Sequence, residues 1–344
     1  MEKRNSVDTF IKKNQNFEEK VIVRRTSDLL LTSKQNKGLK YLNNQKNSKE
    51  LLKSPSKNKI KGLINSNTIL ENEFKQAAPN LNKAFKDFSF IQFQNESYRD
   101  YMEDRFSILM NFPNDDNDKA IFAIFDGHGG SSISEYLCEN FISVFLKYYQ
   151  KYEKQNIEKI LQKCFSTLND EIKKISKSDE MGSTATIIFL TKETNQLLGS
   201  KKIIYCANVG DTNCELFSKN NCKRLTYEHR CSDSIEENRI KKNNGNIING
   251  RIGGRMEISR SFGDFRLKDY GLICEPSINK MSINFNEKYL LILATDGIWD
   301  FISEEEMFFI TMNNNDSMEI CKLIVDKAKE NGSTDNMTCI IINL

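Results

Sequence analysis

Asp126-Gly-His-Gly-Gly130 places a carboxylate and an imidazole two residues apart, in a turn that follows the uninterrupted apolar run Lys119-Ala-Ile-Phe-Ala-Ile-Phe125. Asp296-Gly297 repeats the arrangement after Tyr289-Leu-Leu-Ile-Leu-Ala294, and Asp335-Asn336 stands just before another apolar run that begins at Met337. Glu103, in Met102-Glu-Asp-Arg105, precedes a strand-like run from Phe106 to Met110. Asp-Gly is a routine turn dipeptide, so any one of these acids alone says little. Their recurrence beside buried strands says more, because rigid elements would then hold them all. His and Cys occur in no ligand spacing, and a donor set of oxygens selects Mg2+ or Mn2+ over zinc. Converging carboxylates repel one another unless cations lie among them. Two ions about 3.5–4 Å apart, sharing a bridging carboxylate, lower the pKa of bound water and clamp an in-line displacement at phosphorus. Phosphate-ester hydrolysis is therefore the reaction class expected. His128, one of only two histidines, is the candidate proton donor to the leaving group, and Arg99 offers a bidentate fork to phosphate.

The elements that must hold these residues are legible in the periodicity. Phe88 and Phe90 alternate with polar neighbours before the register slips at Phe93, and residues 119–125 form a continuous run, so both predict strands. After the 126–130 turn, Ile133, Tyr136, Leu137, Phe141, Val144, Phe145 and Tyr148 recur at helical spacing, with Ser131 or Ser132 as N-cap. A second amphipathic helix is expected near 157–175, on the stripe Ile157, Ile160, Leu161, Cys164, Leu168 and Ile172. Strand-like runs follow at 184–190, 203–209 and 214–218, the last two joined by Gly210-Asp-Thr-Asn213, which carries hairpin-turn chemistry. Polar, glycine-containing sequence from about 220 to 265 interrupts the pattern. Residues 289–294 predict another buried strand, Ser303 with Glu306 a capping box, Ile320, Leu323, Ile324 and Ala328 a helix, and 337–342 a closing strand. Strands grouped without intervening helices argue for antiparallel pairing within an α+β layered domain.

The chain has 344 residues, 38% hydrophobic and 28% charged, a balance that suits a globular protein and excludes fibrous and membrane classes. The start, MEKRNSVDTF, lacks an apolar signal core, and no later run has membrane-spanning length, so a soluble, cytoplasmic protein is expected, with the nucleus as a further compartment. Nine scattered cysteines with no C-x-x-C pair suit neither a disulfide framework nor a thiolate metal site. Residues 1–80 hold 17 Lys/Arg against 8 Asp/Glu, an excess of nine, which leaves the remainder at −6 within a formal net charge of +3. The basic portion mixes in acids and lacks dense runs and interleaved aromatics, so it predicts a solvated tail rather than a nucleic-acid interface. The expected organisation is a disordered, basic, polar tail over 1–84, with Ser54-Pro55 and Arg24-Arg-Thr-Ser27 as candidate phosphorylation or docking sites, and one folded domain over 85–344.

Taken in order, Arg99-Asp-Tyr-Met-Glu-Asp104, Phe122-Ala-Ile-Phe-Asp-Gly-His-Gly-Gly130, Gly182-Ser-Thr-Ala185, Asn208-Val-Gly-Asp211, Ser259-Arg-Ser-Phe-Gly-Asp264, Ala294-Thr-Asp-Gly-Ile-Trp-Asp300 and Gly332-Ser-Thr-Asp-Asn336 resemble the type 2C family of metal-dependent protein phosphatases. The resemblance covers nearly all of residues 90–344. It implies a four-layer α-β-β-α sandwich of antiparallel sheets flanked by helices. It also implies hydrolysis of phosphoserine and phosphothreonine in phosphoprotein substrates, in signalling. Carried over, it makes Asp126 the bridge between two Mg2+ or Mn2+ ions, gives Glu103 and the Gly127 carbonyl to one ion, and gives Asp296 and Asp335 to the other. It further implies Arg99 on the substrate phosphate, His128 as general acid, Asp104 orienting water, and Asp211 with Asp300 beside a third metal. Two departures fall in the flap implied for about 220–265: Glu228-His229 replaces the usual Asp-His, and Met256-Glu-Ile-Ser259 carries a charge where a small apolar residue is usual. The alternatives are a catalytically weak pseudophosphatase acting as a binding scaffold, and a carboxylate-rich nuclease or nucleotide hydrolase. No nucleic-acid partner is expected, and the protein is expected to act as a monomer.

Overall fold

The computed structural model describes residues 63–66, 73–77, 83–110, 112, 118–152, 156–175, 177–195, 199–284 and 287–344. Most of the expected 1–84 tail, with both candidate phosphorylation sites, lies outside the described residues.

Two six-stranded antiparallel sheets face each other. The first runs in the order β1 (Leu63–Asn65), β4 (Arg105–Leu109), β5 (Ala120–Phe125), β8 (Ala185–Asn195), β9 (Gly199–Val209) and β15 (Ser277–Ile283). The second runs β11 (Asn221–Arg224), β10 (Asn213–Ser218), β16 (Leu290–Ala294), β17 (Met337–Asn343), β3 (Asp87–Phe93) and β2 (Glu73–Ala77). Successive strand residues point to opposite faces, and β5 buries both of its faces. Ala120, Phe122 and Ile124 enter the space between the sheets, whereas Ile121, Ala123 and Phe125 lie under the helices α1 (Ser132–Lys151) and α2 (Ile157–Ile172). Its sequence is therefore continuously apolar. On the opposite side α7 (Ser317–Glu330) lays Ile320, Cys321, Ile324 and Ala328 against Ile292, Ala294, Cys339 and Ile341. The layers are thus α-β-β-α, as expected.

Aromatic rings fill the inter-sheet space. Phe122 meets Phe85 and Phe88 edge-on at centroid distances of 5.3 and 5.5 Å, and Phe90 meets Phe106 at 4.4 Å. Fully burying each such ring is worth about 1.5–3 kcal/mol, so this layer fixes the spacing of the strand ends from which the acidic turns project. Smaller elements complete the described residues. β6 (Gly127–His128), β7 (Gly182–Ser183) and β14 (Phe262–Gly263) pair in a three-stranded sheet, and β12 (Ile247–Ile248) pairs with β13 (Arg251–Ile252). The remaining helices are α3 (Ser234–Lys242), α4 (Phe265–Lys268), α5 (Asp296–Trp299) and α6 (Glu304–Asn313), the last opened by the Ser303–Glu306 capping box.

Three expectations change. β1 and β2 extend both sheets into residues assigned to the tail, β1 pairing with β4 and β2 with β3. Edge strands pair on one side only and need few apolar residues, so they leave little periodicity. Gly210–Asn213 is not a hairpin turn: β9 pairs with β8 and β15, and β10 with β11 and β16, so the segment crosses from one sheet to the other. Turn chemistry allowed the reversal of direction, but burial of both strands decided their partners. Ser131 precedes α1 without a side-chain cap bond; its hydroxyl donates to Glu135 instead.

Candidate active site

Strand ends from both sheets open on one cleft of about 780 Å3. Asp126 follows β5, Asp296 begins α5 just past β16, Asp335 precedes β17, and Glu103 precedes β4. All four line the cleft, as do Arg99, Gly127, His128, Asp211 and Asp300. Close packing sets their depth. A Cβ on Gly127 would come within 2.7 Å of the Glu103 carbonyl and 2.6 Å of Ser134 Oγ, so only glycine lets β6 approach both the Glu103 turn and α1. Ser134 Oγ donates to that same Glu103 carbonyl at 2.5 Å, tying the start of α1 to the strand.

The acids crowd one another. Burial, followed by the charges of Asp104, Asp296, Asp211 and Asp335, pushes the Asp126 carboxyl well above the usual carboxylate range. Asp296 is pushed up as well, by burial and then by Asp211, Asp335, Asp300 and Asp104. Both keep an edge to the cleft. Such crowding is unfavourable for the bare chain and favourable for a divalent cation. An all-oxygen donor set of this kind fits Mg2+ or Mn2+. As they stand, no three His, Cys, Asp or Glu side chains among the described residues are grouped tightly enough to hold an ion. The outer two acids are turned on to protein donors: Glu103 Oε1 accepts from the Gly130 N–H at 2.5 Å, and Asp335 Oδ2 accepts from Arg99 Nη2 at 2.5 Å.

Around this core the expected residues divide. His128 Nε2 lies 2.8 Å from Asp264 Oδ2, which also accepts from Ser261 Oγ at 2.6 Å. Burial pulls the imidazole pKa down, but the charge and hydrogen bond of Asp264 outweigh it and leave the pKa raised. Asp104 does not line the cleft. Its Oδ2 accepts from Thr338 Oγ1 at 2.7 Å and Thr295 Oγ1 at 3.0 Å, clamping β17 to the end of β16, and burial pushes its pKa up to about 7 against those bonds. These bonds tie Asp104 to Thr295, the residue before Asp296, and so support the Asp296 turn. Asp211 and Asp300, expected beside a third metal, are bridged by Arg230.

Asp264 and Arg230 were not singled out as site residues. Asp264 stands in the motif Ser259–Asp264, and its pairing required β14 to join β7 and β6. Arg230 sits in the flap, whose polar sequence shows no periodicity. A buried acid organises that flap. Glu236 binds Arg260 at 2.5 Å, Arg239 at 2.9 Å and Ser259 Oγ at 2.6 Å, and these partners outweigh its burial to hold its pKa at about 2. Both departures in the flap are matched by arginines, Glu228 by Arg224 and Glu257 by Arg251.

The second histidine serves structure. His229 is fully buried, with Nε2 2.8 Å from Ser277 Oγ and Nδ1 3.3 Å from the Gly210 carbonyl, and burial with Arg260 nearby lowers its pKa to about 3. The unfolded chain binds a proton near pH 6.5 that the folded chain refuses until about pH 3, so stability falls with acidification across that window, by up to about 1.4 kcal/mol per pH unit. Urea midpoints between pH 7 and 4 should show a slope that flattens in His229→Asn. An unchanged slope would assign the acid sensitivity elsewhere.

Fold and cleft together place the chain among phosphatases built on paired antiparallel sheets. The model of the protein phosphatase 2C family matches residues 88–337. Protein phosphatase 2C homolog 1 of Schizosaccharomyces pombe is 30% identical over 251 residues, covering 73% of this chain and 71% of its own length. Protein phosphatase 1L of Bos taurus is 32% identical over 288 residues, covering 80% of this chain and 76% of its own. The crystal structure of serine-threonine phosphatase 2C from Toxoplasma gondii matches in fold, with a TM-score of 0.62 at 21% identity, over 79% of this chain and 98% of that one. The chain belongs to the protein phosphatase 2C family, a metal-dependent family of protein-serine/threonine phosphatases.

Proposed function

We propose that the chain hydrolyses phosphoserine and phosphothreonine in proteins with two Mg2+ or Mn2+ ions. In this reading Asp126 would be shared by the ions, Glu103 and the Gly127 carbonyl would hold one, and Asp296 and Asp335 would hold the other. The observation that carries it is the convergence of these acids from four separate strand ends on one cleft, with the Asp126 and Asp296 carboxyls pushed up by burial and then by their acidic neighbours. When bound, such ions lower the pKa of water and neutralise charge developing at phosphorus.

The chain's own residues do the rest. Arg99, 40% exposed at its side chain, lies at the cleft with a guanidinium fork suited to two phosphate oxygens. In the bare chain it pairs with Asp335, so engagement of Asp335 elsewhere frees Arg99 for substrate. His128, whose imidazole Asp264 makes more basic, gives its proton to the departing serine or threonine oxygen. Asp104 positions the Asp296 turn through Thr295. Descriptions of the relatives lend no support to a pseudophosphatase scaffold. Among the described residues no helix is long and apolar enough to cross a membrane.

The purified chain is expected to release phosphate from phosphoserine and phosphothreonine peptides with Mn2+ or Mg2+, to stop on chelation, and to lose turnover in Asp296→Asn. Turnover of DNA or nucleotides in preference to the peptides would favour the nuclease reading. Saturating metal with no turnover on several phosphopeptides would favour the scaffold.

A further inference from the structure

Arg230 reaches the cleft from the start of the flap. Its Nη2 lies 3.2 Å from Asp211 Oδ2 and 2.9 and 3.0 Å from the two carboxylate oxygens of Asp300. Its Nε lies 3.4 Å from Glu228 Oε2. One nitrogen thus stands between the two acids that the family resemblance assigned to a third ion. Mg2+ binds carboxylate oxygen at about 2.0–2.1 Å, so an ion touching both Asp211 and Asp300 needs the space that Nη2 fills. The guanidinium charge also repels a cation there.

Backbone bonds fix where this side chain begins. The His229 N–H donates to the Gly210 carbonyl at 3.0 Å, the Ser259 N–H to the His229 carbonyl at 2.7 Å, and the Cys231 N–H to the Glu257 carbonyl at 2.7 Å. Arg230 therefore rises from a segment pinned between the β9–β10 crossover and the returning flap. Asp211 is buried, and Asp300 is about half exposed.

We propose that Arg230 is a tethered cation standing in the third-metal position: Asp211 and Asp300 hold its guanidinium, and the enzyme binds no ion between them. The charge at this edge of the cleft is then supplied by the chain and does not vary with the cation concentration. Arg230 is a positioning residue in this account, since it holds Asp300 at the end of α5, the helix that begins with Asp296. The inference rests on the two-ion reading of the cleft, and the two fail in different measurements.

The test counts Mn2+ bound by the full chain at saturation, by electron paramagnetic resonance of the free ion. Arg230→Gln is expected to bind one more ion than the wild type, and Arg230→Lys to match the wild type. Asp300→Asn should leave the wild-type count unchanged and cancel the gain in Arg230→Gln. Equal counts in wild type and Arg230→Gln overturn the proposal. Should Arg230→Gln not fold, Asp300→Asn decides alone, because a lower count than the wild type overturns the proposal and an unchanged count supports it. The two-ion reading fails separately, if Asp296→Asn leaves the wild-type count untouched.

Discussion

Asp126→Asn is expected to lower kcat/KM on a phosphothreonine peptide by on the order of 1,000-fold, since several kcal/mol of charge stabilisation is lost at about 1.4 kcal/mol per tenfold. The same substitution should make the metal-free protein more stable. The folded-state pKa of Asp126 is raised, so its contribution to stability is present below the ordinary aspartate value and is lost as pH rises through the raised one. At neutral pH the bare chain therefore carries a penalty, which an amide removes. Each kcal/mol relieved raises Tm by about 2–4 °C in a domain of this size. Scanning calorimetry in chelator should record a higher Tm for Asp126→Asn than for the wild type, and adding Mn2+ should shrink or reverse the gap. A variant that keeps activity within tenfold of the wild type would sink the bridging role, and a lower metal-free Tm would show that its neighbours do not penalise Asp126.

His128→Gln is expected to lower kcat on a phosphoserine peptide by about 100-fold, at the low end of what general acid catalysis supplies. An aryl phosphate, whose leaving group departs without a proton, should lose far less. The wild-type rate should fall as pH rises through the raised His128 pKa, because only the protonated imidazole can donate. That alkaline limb should vanish in His128→Gln and move to lower pH in Asp264→Asn, which removes the charge that raises the pKa. Gly182→Ala offers a further check, since a Cβ there collides with both the Asp264 carboxylate and the imidazole and should lower the rate in the same way. Equal losses on peptide and aryl substrates would assign His128 a structural role.

The parts of this site legible in the sequence are those with a local signature. Residues 120–125 are apolar at every position because β5 is buried on both faces, and the acid that follows such a run emerges at the end of the strand. The helices were legible for the same reason: one face of each lies against a sheet, as the Ile157–Ile172 stripe does. Contacts set by long-range pairing were not legible. Whether Gly210–Asn213 turned back or crossed between sheets depended on strands far along the chain, Ser277–Ile283 and Leu290–Ala294. Asp104 was implied as a site residue by the motif Arg99–Asp104, whereas its bonds from Thr295 and Thr338, 191 and 234 residues away, form only in the folded chain. Arg230 had no signature because its role comes from two acids, 19 and 70 residues away, that meet it only in the folded chain.

The two short strands at Leu63–Asn65 and Glu73–Ala77 bear on how the domain keeps to itself. Each occupies the outermost place of its sheet, covering the amides and carbonyls of Arg105–Leu109 and Asp87–Phe93. A chain cut to begin at Phe85 would bare both rows at once, and two unpaired rows on opposite sheets are a ready template for another chain to add itself. The two short strands thus act as a selvedge, ending each sheet on strands of only three and five residues where longer rows would otherwise lie open.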